Sequence, residues 1–129
     1  MPTRRSRVRI PLPAPFYDME KLYKKNCIAC DGNTAPFDKS EIDKYQKKIV
    51  GWKLKNDNKK NYYLEKKFKF QNFTESKKFI NEISVIAELE DHHPDICFGW
   101  GFAKIKIFTH AIKGLVESDF ILAAKIDKI

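Results

Sequence analysis

The sequence predicts an α+β fold of two layers: a four-stranded antiparallel sheet with three helices on one face, in the order α-β-β-α-β-β-α. Three observations predict it. Apolar residues recur at helical spacing in three stretches and alternate in the stretches between them. The links between successive strand candidates are too short for parallel crossovers, which makes the sheet antiparallel. At 129 residues, with 43% hydrophobic and 13% aromatic residues, the chain suits one core of ordinary globular composition.

The first eighteen residues stand apart from this pattern. Every arginine (Arg4, Arg5, Arg7, Arg9) falls in the first ten residues, and four of the six prolines fall in the first fifteen. We therefore divide the chain into a basic, proline-rich segment, 1–18, and a domain, 19–129. The segment reads as a leader added for expression, with Met19 as the native start; a targeting peptide and a basic arm are the alternatives. Pro11, Pro13 and Pro15 oppose the amphipathic helix that a transit peptide needs. Without those four arginines the formal charge of +8 falls to +4, an ordinary balance for a lysine-rich domain, so nucleic acid is not an expected partner. No apolar run approaches the ~20 residues that span a bilayer, so no membrane partner is expected either. Three cysteines (Cys27, Cys30, Cys97) are an odd number, which favours a reducing compartment and hence the cytoplasm.

The elements follow in order. Asp38 and Glu41 have capping-box spacing and open a helix with Ile42, Tyr45 and Ile49 on one side, ended by Gly51. Residues 52–56 form a short strand, and DNKK is a polar turn. In 61–70, Tyr62, Leu64, Phe68 and Phe70 share one strand face, while Tyr63, Glu65, Lys67 and Lys69 share the other. Asn72, with Glu75 three residues on, starts a second helix whose buried stripe is Phe79, Ile80, Ile83, Ile86 and Ala87. Pro94 stops that helix at the histidine pair. ICFGW and AKIKIFTH are the third and fourth strands, with Gly99 and Gly101 in their connection. The last helix runs from about Val116 to Lys128.

Two of the three histidines are neighbours, in the run ELEDHHPDICFGW (88–100). Glu88 and His92 are four apart on a predicted helix, so the carboxylate can hold the imidazole's tautomer and raise its basicity. His93 leaves the helix and points elsewhere. His110 closes the fourth strand on the face of Lys104, Lys106 and Phe108, off the apolar stripe of Ile105 and Ile107. Any one of these could merely cap an element. A carboxylate-backed pair with a third histidine at a strand end reads better as acid–base machinery. Metal is the rival reading. Cys27-Ile28-Ala29-Cys30 has the spacing of half a zinc site, but no second cysteine pair exists, and adjacent histidines rarely converge on one metal. We read the two cysteines as small loop residues and expect no metal.

Taken at their spacing, Glu88, His92-His93-Pro94, Trp100, His110 and Asp119 resemble the signature of the pterin-4a-carbinolamine dehydratases. The similarity extends to Gly51-Trp52, Phe68-Lys69-Phe70, Phe73, Gly114-Leu115 and Asp127, and to CIACDG followed by Pro36-Phe37, covering residues 27–129. One position departs from it. Members commonly have Ser or Thr where this chain has Val116, so a capping box with Asp119 lacks its hydroxyl half.

The resemblance implies a dehydratase that converts 4a-hydroxytetrahydrobiopterin to quinonoid dihydrobiopterin and water, with no metal or redox cofactor. One group protonates the departing hydroxyl and another takes a proton from the ring, work suited to imidazoles. By the same resemblance His92, His93 and His110 are catalytic, Glu88 orients His92, and Asp119 supports. His93, Pro94 and Trp100 line the substrate. It further implies a homotetramer, a dimer of dimers. Some animal members also act as dimerisation cofactors, so a protein-interaction module is the alternative.

Overall fold

The computed structural model describes residues 21–28 and 32–129. The division at residue 18, and Cys30 of the cysteine pair, lie outside them. The fold is α+β, and the four strands of the described residues pair antiparallel, as the short links predict. Four helices stand among the described residues where the sequence predicts three. The first, α1, is described over residues 21–23, and its Leu22 joins the core.

The capping box is present at the next helix, α2 (Lys39–Gln46): the Asp38 carboxylate accepts the Glu41 N–H at 2.9 Å. α2 stops about one turn before Gly51, and Ile42 is its buried residue. Strand β1 (Lys53–Asn56) pairs with β2 (Tyr62–Lys69). The long helix α3 (Phe73–Glu90) leads into β3 (Asp95–Gly99), β4 (Phe102–Ile107) and α4 (Glu117–Asp127). The strand order is β1-β2-β4-β3, so β1 and β3 are the edges.

Register decides what each sheet face carries. Leu64 opposes Leu54 and Ile107, Phe68 opposes Ala103, and Ile96 opposes Ile105. These side chains face the helices, where Ile83, Phe120, Leu122 and Ala124 complete the core. Lys66 shares that inward face. Its ammonium reaches Asp127 at 2.8 Å, while Trp52 Nε1–H donates to the same carboxylate at 2.9 Å. This knot ties the start of β1 and the middle of β2 to the end of α4. Burial outweighs both partners and raises the Asp127 carboxyl above its ordinary value. The opposite face presents Lys53, Lys55, Lys67, Lys69, Lys104 and Lys106 against two acids, Glu65 and Asp95.

Candidate active site

The end of α3 sets up the histidines. Asp91 closes the helix in the left-handed conformation (φ 51°), its N–H donating to Ala87 and Glu88, and His92 N–H donates back to the Ala87 carbonyl at 3.1 Å. His92 therefore lies beyond the helix, and the expected four-residue pairing with Glu88 does not form. Glu88 Oε2 instead meets His93 Nε2 at 2.5 Å in the open. His92 turns inward, and its Nε2 lies 2.7 Å from Asp119 Oδ1. Each histidine of the pair has a carboxylate, but the partners are exchanged relative to the helical expectation. A left-handed residue between a helix and its flanking side chains breaks the face they would have shared.

Asp119 is the hub. It is fully buried in the first turn of α4. Its Oδ2 accepts the Val116 N–H and the Thr109 Oγ–H, both at 2.8 Å. The Val116 N–H bond is the half of a capping box that needs no hydroxyl, so the departure at Val116 leaves the carboxylate's part intact. With Oδ2 occupied by two donors and Oδ1 facing His92, an ionised Asp119 makes His92 Nε2 the protonated nitrogen. Nδ1 is then the ring atom left for chemistry.

Thr109 carries the link to the third histidine. β4 ends at Ile107, three residues earlier than the expected close at His110. Thr109 continues in an isolated bridge to Gly114, and His110 opens the turn that returns the chain towards α4. His110 is exposed; its Nε2 lies 3.5 Å from Asp95 Oδ1 and its ring 4.3 Å from that of Phe108. The strand-parity expectation holds: His110 shares the side of Lys106 and Phe108. Asp95, which sequence reading passed over, is two residues from His93 and joins His110 to the same end of the β3–β4 hairpin. Pro94 sits half-buried at that end. A cleft of about 500 Å³ opens beside His110 towards the β1–β2 turn.

Trp100 is not brought to the histidines within one chain. It is 72% exposed in the β3–β4 turn, separated from Pro94 by the whole of β3, about 17 Å at ~3.4 Å per residue. The Cys27 thiol donates to the Ser118 carbonyl at 3.4 Å, and burial pushes it up to about 12.

The arrangement offers one imidazole oriented by a buried carboxylate, two more in the open, and a cleft beside one of them. It can move protons to and from a small molecule. Against this geometry the comparisons are specific. The family described as pterin 4 alpha carbinolamine dehydratase matches residues 35–129. A protein of Rubrobacter xylanophilus is 41% identical over 111 residues, covering 86% of this chain and all of its own length. One from Alkaliphilus metalliredigens is 46% identical over 85% of this chain and 96% of its own. Both carry provisional names as pterin-4-alpha-carbinolamine dehydratases. Among solved structures, a Brucella melitensis transcriptional coactivator/pterin dehydratase superposes with a TM-score of 0.64 at 24% identity, over 72% of this chain and 96% of that one. A pterin dehydratase-like RuBisCO assembly factor of the alpha-carboxysome superposes at 0.52 and 23% identity, over 60% and 87%. Those two speak for the fold. With the family pattern spanning the sheet, the histidine pair and α4, the chain belongs to the pterin-4a-carbinolamine dehydratase family.

Proposed function

We propose that the protein is a 4a-hydroxytetrahydrobiopterin dehydratase, releasing water to give quinonoid dihydrobiopterin, and that His92, His93 and His110 carry the proton transfers. One observation supports this above the rest: Asp119 holds His92 by Nε2 and, through Thr109, is one residue from His110. The departing 4a-hydroxyl takes a proton and leaves as water, and the ring gives one up, so an acid and a base must face one small molecule. His92, with Nε2–H committed to Asp119, is suited to the base role at Nδ1. His110, exposed at the cleft, is suited to protonating the hydroxyl. His93, with Glu88, and Pro94 border the substrate. Trp100 joins a site only across subunits, which fits the proposed homotetramer. No resident metal or cofactor enters this scheme, and the cytoplasm is its proposed location.

The test is an ultraviolet assay of chemically generated 4a-hydroxytetrahydrobiopterin. Dehydration well above the spontaneous rate is expected; a rate equal to buffer overturns the reading. Two fold relatives are named as a coactivator and an assembly factor, and this chain exposes Val85, Leu89 and Trp100. A protein-interaction role is therefore the second reading. It predicts normal folding and partner capture without turnover.

A further inference from the structure

The cleft beside His110 has a chemical character that the dehydration itself does not call for. Three lysines line it, Lys59, Lys106 and Lys113, together with the rings of Tyr63 and Phe108. Lys106 Nζ lies 4.2 Å from the Tyr63 ring centre and 5.5 Å from that of Phe108, so its ammonium is held over two aromatic faces at the cleft. The one lining carboxylate is already engaged. Asp57 accepts the Lys59 and Asn61 N–H groups at 2.8 and 2.9 Å and the Asn61 side-chain amide at 3.2 Å, closing the β1–β2 turn. Two further acids flank Lys106 across the sheet, and each has another partner: Glu65 is bound by Lys55, and Asp95 faces His110. None of the three cleft lysines forms a salt bridge among the described residues. The cleft, about 500 Å³, is of the size that holds a small-molecule substituent.

Building on the proposed dehydratase reading, we infer that this cleft is an anion subsite: beside biopterin, the site takes pterins that carry a carboxylate or phosphate on the ring substituent, read by Lys106, Lys113 and Lys59. A substrate reacting at His110 has its substituent within reach of the cleft. A neutral side chain makes no use of the charge of three ammonium groups, whereas an anionic one gains attraction in a partly enclosed, aromatic-walled space.

Binding of oxidised pterins, followed by quenching of their fluorescence, tests this without turnover. The ligands are 6-methylpterin as the neutral reference, pterin-6-carboxylate and pteroylglutamate as carboxylates, and 6-hydroxymethylpterin phosphate. At low ionic strength the anionic ligands should bind about tenfold or more tighter than the reference, and the margin should shrink with salt. The carboxylate and phosphate arms separate the two sources of charge. Lys106→Met, which keeps the apolar stem over the rings, should cut the margin to about threefold or less; Lys106→Arg should retain most of it, and Lys113→Gln should reduce it. Equal affinities, tighter neutral binding, no pterin binding at all, or a margin untouched by Lys106→Met each overturn the subsite. Dehydration of the neutral 4a-hydroxytetrahydrobiopterin without an anionic margin sinks the subsite alone. An anionic margin without dehydration of any pterin sinks the enzyme reading and leaves the subsite standing.

Discussion

A carboxylate with no exposed surface must find its partners inside the protein, and Asp119 has three: His92, Thr109 and the Val116 N–H. Replacing it with alanine strands three polar groups and should cost about 3 kcal/mol or more, measured by urea unfolding. Asparagine is the sharper test. It keeps the shape, but with its carbonyl held by the Val116 N–H it turns its NH2 towards His92, so the imidazole loses the acceptor that fixes its tautomer. Turnover should fall about 100-fold or more while the Michaelis constant moves about threefold or less. A matched loss in both would make Asp119 a substrate contact instead. For the histidines themselves, His92→Ala and His110→Ala should each depress turnover more than binding. The double variant should cost less than the two losses added, because the pair acts on one transition state. If acid–base chemistry is the whole mechanism, exhaustive chelation leaves the rate unchanged; loss of activity with recovery on adding zinc would argue for a metal.

At the scale of elements, two joints fasten the fold, one beneath the site and one at the far end of the β3–β4 hairpin. Glu117, first in α4, accepts the Lys25 ammonium at 2.7 Å and the Tyr45 hydroxyl at 3.1 Å, fastening α4 to α2 and to the chain after α1. The Lys25 bond is the largest influence lowering the Glu117 carboxyl below its ordinary value of 4.5. A lowered carboxyl stabilises the fold above its unfolded value and loses that contribution as pH falls through its folded value. Glu117→Gln should therefore flatten the loss of thermal stability below about pH 4.5, and an unchanged acid limb would count against the joint. The second joint is Gly101, at φ +80°, where an added Cβ would come within 3.2 Å of the Phe70 carbonyl. Gly101→Ala should cost about 1–2 kcal/mol in urea unfolding. Period and punctuation made most of these elements legible: strand parity put His110 on the right side, and Pro94 announced the end of α3. The exchange of carboxylates between His92 and His93 was not legible, because it turns on the handedness of Asp91, a residue type that tolerates the left-handed region without requiring it. Lys66 was missed for a related reason. A lysine at an inward strand position makes sense only once Asp127, sixty-one residues away, is known to wait for it.

At the scale of the whole molecule, the antiparallel sheet leaves β1 and β3 as open edges, and α3 leaves Val85 and Leu89 uncovered, the latter 79% exposed. If copies assemble as proposed, light scattering should give four times the 15.2 kDa chain mass, and Leu89→Glu should lower it without lowering helix content. A 15.2 kDa particle at micromolar concentration would reject the tetramer. Helical period already leaves Leu89 off the stripe of Phe79, Ile80, Ile83, Ile86 and Ala87; what it cannot say is whether another copy covers it.

The lysine-covered side of the sheet restricts how such particles can grow. Two sheets laid face to face would bring six ammonium groups of one copy against six of another, and the two acids on each face are too few to neutralise them. Stacking in that direction is repelled, most strongly when ions are scarce. Additional copies can join only sideways, along the edges, or across the helical layer. The fold therefore directs contacts between copies away from its lysine face, and dissolved salt sets how firmly the third dimension stays shut.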